Sequence, residues 1–126
     1  MAENFLGLFR DEPDAIKLRP GQVLFEKGDI GRQMYVVKSG ELQVIDGNHV
    51  FETVSAGGIL GEMGLISEFP RSATIRAATE SIIIPIDQKR FLFLVQQTPF
   101  FAIRVMRVMS DRLRKMNDLV RSLPDR

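Results

Sequence analysis

The chain has 126 residues, 44% apolar and 26% charged, with a formal net charge of +1. That is enough for one domain with a real core, and it gives no global pull toward nucleic acid or membrane. Cysteine is absent, which excludes disulfides and thiolate metal sites and makes a reducing cytoplasm the natural compartment.

The N-terminal MAENFLGLFRDEPD carries an early acid and no long apolar core, so it does not read as a secretory signal. From there to residue 58 the chain is punctuated by glycine: Pro20-Gly21, Gly28-Asp29, Ser39-Gly40, Asp46-Gly47-Asn48 and Gly57-Gly58. Between them lie the short runs AIKL, QVLFE, QMYVVKS, ELQVI and HVFETV, rich in β-branched and aromatic residues. Regular turn signals between short strands predict an all-β sandwich or barrel. Asp46-Gly47-Asn48 is a strong hairpin signal, because Gly and Asn tolerate a positive φ at little cost.

Two further strands are expected at Ala73–Thr79 and Ser81–Ile86. The apolar run Ile82–Ile86 is far too short to span a bilayer. The period then changes. Apolar residues at 91, 92, 94 and 95 predict a helix over Gln88–Gln97, and Pro99 suits the opening of the next one. A single helix is expected from Phe100 to Leu123, about 24 residues and roughly 36 Å long. One stripe on it runs Met106, Met109, Leu113, Met116, Val120, Leu123. A second, Phe101, Val105, Val108, stops where Arg112 takes the next place. Two stripes predict one face packed on the barrel and a heptad-like seam that suits a partner helix, hence a homodimer.

The stretch Gly61–Ala77, GEMGLISEFPRSATIRA, stands apart. Gly61 and Gly64 let backbone approach an anion closely. Glu62–Ser67 reads as one helical turn with free N–H groups. Arg71 supplies the planar fork that suits phosphate oxygens, and Ser72 can add a bond. Glu62 repels phosphate but accepts hydrogen bonds from a sugar hydroxyl. Phosphate beside a sugar hydroxyl points to a nucleotide. On spacing alone, a loop closed by a surface Glu62–Arg71 salt bridge fits equally well.

Gly61-Glu62-Met63-Gly64-Leu65 followed by Pro70-Arg71-Ser72-Ala73-Thr74 resembles the phosphate-binding cassette of cyclic-nucleotide-binding domains, the type found in cAMP receptor proteins, cyclic-nucleotide-gated channels and protein kinase regulatory subunits. Phe25–Asp29, Tyr35–Leu42, Phe91 and Pro99 extend the resemblance over about residues 10–123. It implies a jelly-roll-like β-barrel, mainly β with helices, followed by a long C-terminal helix. The single domain 1–126 would then comprise a β-roll over about 10–87, with the cassette at 61–74, and C-terminal helices over 88–123.

The resemblance also implies roles. Arg71 would clamp the cyclic phosphate, helped by the N–H groups of Gly64 and Ser72, while Glu62 would accept the ribose 2′-OH and Gly61 would allow the turn before it. Met63 and Ala73 complete the cassette contacts. Met116 and Asn117 on the last helix would cap the purine. The implied ligand is cAMP, with cGMP as the alternative, and Ser72 bears on that choice.

Rival functions have less support. His49 is the only histidine and reads as an exposed residue beside a turn, so no metal-dependent barrel enzyme can be assembled. No catalytic triad, GxGxxG or Walker A loop is present, and no enzyme or metal is expected. Six cations of the last helix (Arg104, Arg107, Arg112, Arg114, Lys115, Arg121) face two acids, but they read as its solvated face, not as a DNA-binding surface. A ligand-free dimerisation module is the remaining alternative. The expectation is a stand-alone cytoplasmic sensor acting on an effector protein in trans, with the C-terminal helix as lid.

Overall fold

The computed structural model describes residues 6–67 and 69–123. Eight strands, β1 (Ile16–Leu18), β2 (Val23–Phe25), β3 (Met34–Ser39), β4 (Leu42–Asp46), β5 (His49–Val54), β6 (Ile59–Leu60), β7 (Thr74–Ala77) and β8 (Ser81–Ile86), form two antiparallel four-stranded sheets. One runs β1-β8-β3-β6 and the other β2-β7-β4-β5. Accompanying them among the described residues are the helices α1 (Glu62–Ser67), α2 (Gln88–Gln97) and α3 (Phe100–Arg121). This is the expected roll followed by a long helix. The element the sequence reading lacks is β6, two residues between glycines, too short to carry an alternation.

The first sheet is the middle layer of three. Its inner face meets the second sheet through Leu18, Val37, Leu60 and Ile83, packed with Leu42, Val54, Ile75 and Ala77. Its outer face carries Met34, Val36, Ile59, Ile84 and Ile86, which pack with Leu65 of α1, Leu94 of α2 and Phe101 and Val105 of α3. Burial on both faces explains the near-continuous apolar run of β8, which lacks the alternation of a half-exposed strand. Phe9 joins the outer cluster, its ring centroid 6.4 Å from that of Phe101. The Glu12 carboxylate, paired with Arg90 of α2, ties this N-terminal segment down.

Caps and turns follow local chemistry. Gly47, with φ +63°, opens the β4–β5 hairpin, whose strands close at Asp46 opposite His49. The Asp87 side chain caps α2 by accepting from the Arg90 N–H at 2.8 Å. Along α3 only the first half is sunk in the core: Phe101 and Val105 are buried and Val108 and Met109 pack against the same cluster. From residue 110 onward every described residue is exposed except Arg112. No helix among the described residues is long and apolar enough to cross a membrane.

Candidate functional site

The 61–74 segment leaves β6 through Gly61, whose φ of +73° is a conformation side chains resist. A Cβ there would lie 2.7 Å from Arg71 Nη1. One at Gly64 would lie 2.4 Å from the Gly31 carbonyl oxygen and 2.7 Å from the same nitrogen. The glycines therefore serve the arginine directly, by leaving room for its guanidinium to lie across the backbone.

Arg71 is only 6% exposed. Its Nη1 donates to Gly61 O at 2.9 Å and its Nη2 to Gln33 O at 2.8 Å, while its buried Nε donates to nothing. The guanidinium stands over the rings of Phe25 and Tyr35, at 4.2 and 5.8 Å from their centroids. Main-chain bonds of 2.8 Å, from Arg71 N to Asp29 O and from Gly28 N to Arg71 O, fix its backbone to the β2–β3 loop. Among the described residues no carboxylate forms an ion pair with it. Neutral carbonyls and aromatic faces compensate a desolvated cation only in part. A guanidinium also holds more donors than these two carbonyls use.

Glu62, 4% exposed, does not pair with Arg71. Its carboxylate accepts from Nη1 of Arg112, on α3, whose Nη2 donates to Ile59 O and whose Nε donates to Glu52 of β5 at 3.3 Å. One guanidinium thus ties the helix to two acids and a strand carbonyl.

Both arginines line one cavity of about 810 Å³ between the second sheet, the 61–74 segment and the outer half of α3. Gly61, Glu62, Met63, Gly64, Arg71, Ser72, Ala73 and Met116 all line it. Asn117 is exposed and does not. On α3 the wall is made by Arg112, Lys115, Met116 and Leu119, at three- and four-residue steps that leave Asn117 off that face.

Further findings concern the cations of the last helix, His49 and the seam. Arg112 is not part of a solvated basic face, since it is largely withdrawn into the Glu52–Glu62 contact. Arg104 likewise donates to Gly57 O at 2.7 Å. His49, exposed as expected, also lines the cavity, with its ring 4.4 Å from that of Phe51. The seam is divided as well: Met109 packs on the core, while Met106, Leu113, Met116, Val120 and Leu123 are exposed. The described residues contain no cluster of histidine and acidic side chains that could hold a metal ion.

Fold and cavity define the class, a β-roll with a cavity walled on one side by the C-terminal helix. The family model of the cyclic nucleotide-binding domain matches residues 15–98, and the chain belongs to that family. It is 36% identical over 92 residues to a cyclic nucleotide-gated potassium channel of Rhizobium etli, covering 73% of this chain and 26% of the channel. Among solved structures, a cyclic nucleotide-binding domain from Methylobacillus flagellatus superposes with a TM-score of 0.75 at 25% identity, covering 88% of this chain and 68% of that one. A protein of a cyclic-GMP-dependent signalling pathway that regulates bacterial phytopathogenesis gives 0.73 at 27% identity, with 89% and 91% covered. The chain spans about a quarter or less of the length of these curated relatives.

Proposed function

We propose that this domain is a non-catalytic cytoplasmic sensor that binds cAMP in preference to cGMP inside the cavity and transmits occupancy through α3. The observation that carries the reading is Arg71, which lines the cavity as a buried cation with no acidic partner among the described residues and whose buried Nε meets no acceptor. A cyclic phosphate has a single negative charge, so one guanidinium is enough to balance it. Gly64 and Gly61 leave the approach free of Cβ atoms, and the Ser72 N–H and hydroxyl lie next along the chain.

Glu62 takes the ribose 2′-OH in this reading. Its pairing with Arg112 does not prevent that, because an ionised carboxylate has lone pairs for several donors. Arg112 gives the Glu62 carboxylate a counter-charge, and hydrogen bonds to a charged acceptor are the stronger ones. In this reading α3, with Met116 and Leu119 on the cavity wall, serves as a lid. The ligand biases the lid only by its differential affinity for the two helix positions.

Calorimetry with cAMP and cGMP tests this directly. Arg71→Ala is expected to weaken binding at least about tenfold while the fold survives, because a charge-assisted bond contributes about 1.5–3 kcal/mol. Unchanged affinity in that variant overturns the site. In the wild type, cAMP at about 100 times its Kd is expected to stabilise the fold by about 2.7 kcal/mol. The absence of any thermal shift with either nucleotide favours the ligand-free module.

A second reading, compatible with the first, is homodimerisation through α3. It is favoured by the exposure of Leu113, Val120 and Leu123 along one stripe. Neither reading gives the helix a DNA-binding role, since Arg104 and Arg112 are engaged with the roll.

A further inference from the structure

The elbow between α2 and α3 carries an apolar surface that neither the core nor the cavity uses. Both helices lie on the outer face of the first sheet, α2 through Phe91, Leu94 and Val95 and α3 through Phe101, Val105 and Val108. The opposite face of each helix therefore looks away from that sheet, on the same side of the molecule. On α2 this face runs Lys89, Leu92, Phe93, Gln96, and on α3 it runs Phe100, Ile103, Arg107, both at helical spacing. Leu92 and Phe93 are 60% and 58% exposed, and Phe100 and Ile103 45% and 43%. Large apolar side chains gathered on one outward surface mark an interaction site, where single exposed ones do not. None of these four lines the cavity.

Charge says what covers it. Residues 88–110 include Lys89, Arg90, Arg104 and Arg107 but no aspartate or glutamate, so the whole-chain net charge of +1 hides a local positive excess. Arg90 is engaged with Glu12 and Arg104 with Gly57 O. Lys89 and Arg107, the cations of the outward faces, pair with no carboxylate among the described residues. The Arg107 guanidinium stands 5.5 Å from the Phe100 ring centroid. A second copy of the chain meeting the same patch brings like cations together, which disfavours self-association here. A specific protein interface carries about ten direct hydrogen bonds, and Gln96 is the only uncharged polar side chain in this set. A lipid surface asks for none. Leucine and phenylalanine enter the boundary between headgroups and acyl chains, while lysine and arginine keep their charge at the level of anionic headgroups.

We propose that the α2–α3 elbow is a peripheral docking surface for an anionic membrane leaflet, with Leu92, Phe93, Phe100 and Ile103 entering between headgroups and Lys89 and Arg107 beside lipid phosphates. The contact is shallow and reversible, because a few side chains bury far less apolar surface than a spanning helix. It is also firmly presented, since Leu94 and Phe101 are buried directly beneath it. The cavity is walled by the outer half of α3, at Arg112, Lys115, Met116 and Leu119. Docking through the elbow and a nucleotide in the cavity therefore engage different parts of the helix. The inference does not rest on the nucleotide reading and survives its failure.

Co-sedimentation of the full chain with vesicles tests it, using phosphatidylcholine and phosphatidylserine at roughly 7:3 against phosphatidylcholine alone. Binding is expected to the anionic vesicles only, and to fall as salt rises. Lys89→Gln with Arg107→Gln is expected to weaken it about fivefold for each cation removed. Leu92→Gln with Phe93→Gln is expected to weaken it at least about tenfold, since two large side chains no longer leave water. These exposed substitutions keep the fold, which an unchanged melting temperature checks. The chain has no tryptophan, so Phe93→Trp places a single indole at the surface, and its emission is expected to shift to the blue on anionic vesicles alone. No sedimentation with anionic vesicles overturns the proposal, and so does equal binding to neutral ones. Binding that survives both double substitutions puts the contact elsewhere and overturns it as well. Binding to soluble polyglutamate without any to vesicles makes the elbow a site for an acidic protein instead. Self-association without vesicle binding, lost in Leu92→Gln with Phe93→Gln, makes it an interface between copies of the chain.

Discussion

The two halves of α3 belong to one continuous helix but are held by different physics. In the first half Phe101 and Val105 are buried against both sheet and α2, and Arg104 is bonded to Gly57 O. In the second half one residue, Arg112, is withdrawn from solvent, and it reaches the roll through ion pairs and a carbonyl, not through apolar packing. Non-directional burial fixes the first half whatever the cavity contains. Charge-assisted bonds to two acids fix the second half, and those acids sit on the cavity wall. A ligand that changes the surroundings of Glu62 therefore acts on the attachment of the outer helix, without disturbing the core that holds the inner one. Low local stability beside a site is where conformational response is found.

The strongest test of this contrast is at its anchored end. Phe101→Ala removes a ring that contacts both Phe9 and Phe91, with centroids at 6.4 and 5.7 Å. The expected loss is about 3–5 kcal/mol of global stability, the range for truncating a buried Phe. Chemical denaturation measures it. A loss below about 1 kcal/mol is incompatible with the inner half being the anchor.

Removing Arg112 acts on the other end. Arg112→Ala leaves Glu62 buried without its counter-charge, and breaking a buried pair in this way costs about 3–5 kcal/mol. The guanidinium is 26% exposed, so solvent screening reduces the expected effect to about 1–3 kcal/mol. The diagnostic readout is local: amide exchange is expected to quicken over the outer half of α3 while the strands keep their protection. Uniform acceleration over the whole chain contradicts the division of the helix. Arg112→Ala paired with Glu62→Gln is expected to lose less than the sum of the two single changes, because the amide needs no counter-charge.

What the sequence made legible follows the range of each interaction. The strands other than β6, the hairpin at Gly47 and the bounds of α1 and α2 depend on local patterning and capping, and they fall close to where periodicity and turn chemistry put them. The cassette was readable through its family resemblance, since glycine spacing with one Glu and one Arg left a surface salt bridge equally open. The Glu62–Arg112 pair spans 50 positions, and no short-range pattern carries it. One trace was present: Arg112 falls four residues after Val108 on the face that packs, where an apolar residue was due. A cation at a packing position is a cation with a buried partner. The bulge at Phe51, where the β4–β5 register shifts, left a similar trace in HVFETV, where Val50-Phe51 breaks the alternation. Asn117, expected at the purine, is exposed and off the cavity wall: the resemblance gave the helix but not its rotation about its own axis, which the seating of Phe101 and Val105 decides.

The smallest expected effect tests the exposed seam. Leu113 and Val120 are 63% and 59% exposed, so in a monomer their replacement by polar residues leaves a solvated face solvated. Leu113→Gln together with Val120→Gln is expected to change monomer stability by no more than about 0.5 kcal/mol. In a dimer built on the seam, the same substitutions place two polar side chains from each protomer in an apolar interface, and association weakens. Thermal melts at low and high protein concentration, with sedimentation on the same samples, separate the two contributions, because only an assembled species has a concentration-dependent melting temperature. A wild-type melting temperature that rises with concentration, and a double variant in which it does not, place the partner on α3. A loss above about 1 kcal/mol in dilute monomer shows instead that the outer half packs within its own chain, and the contrast between the two halves of the helix is then gone.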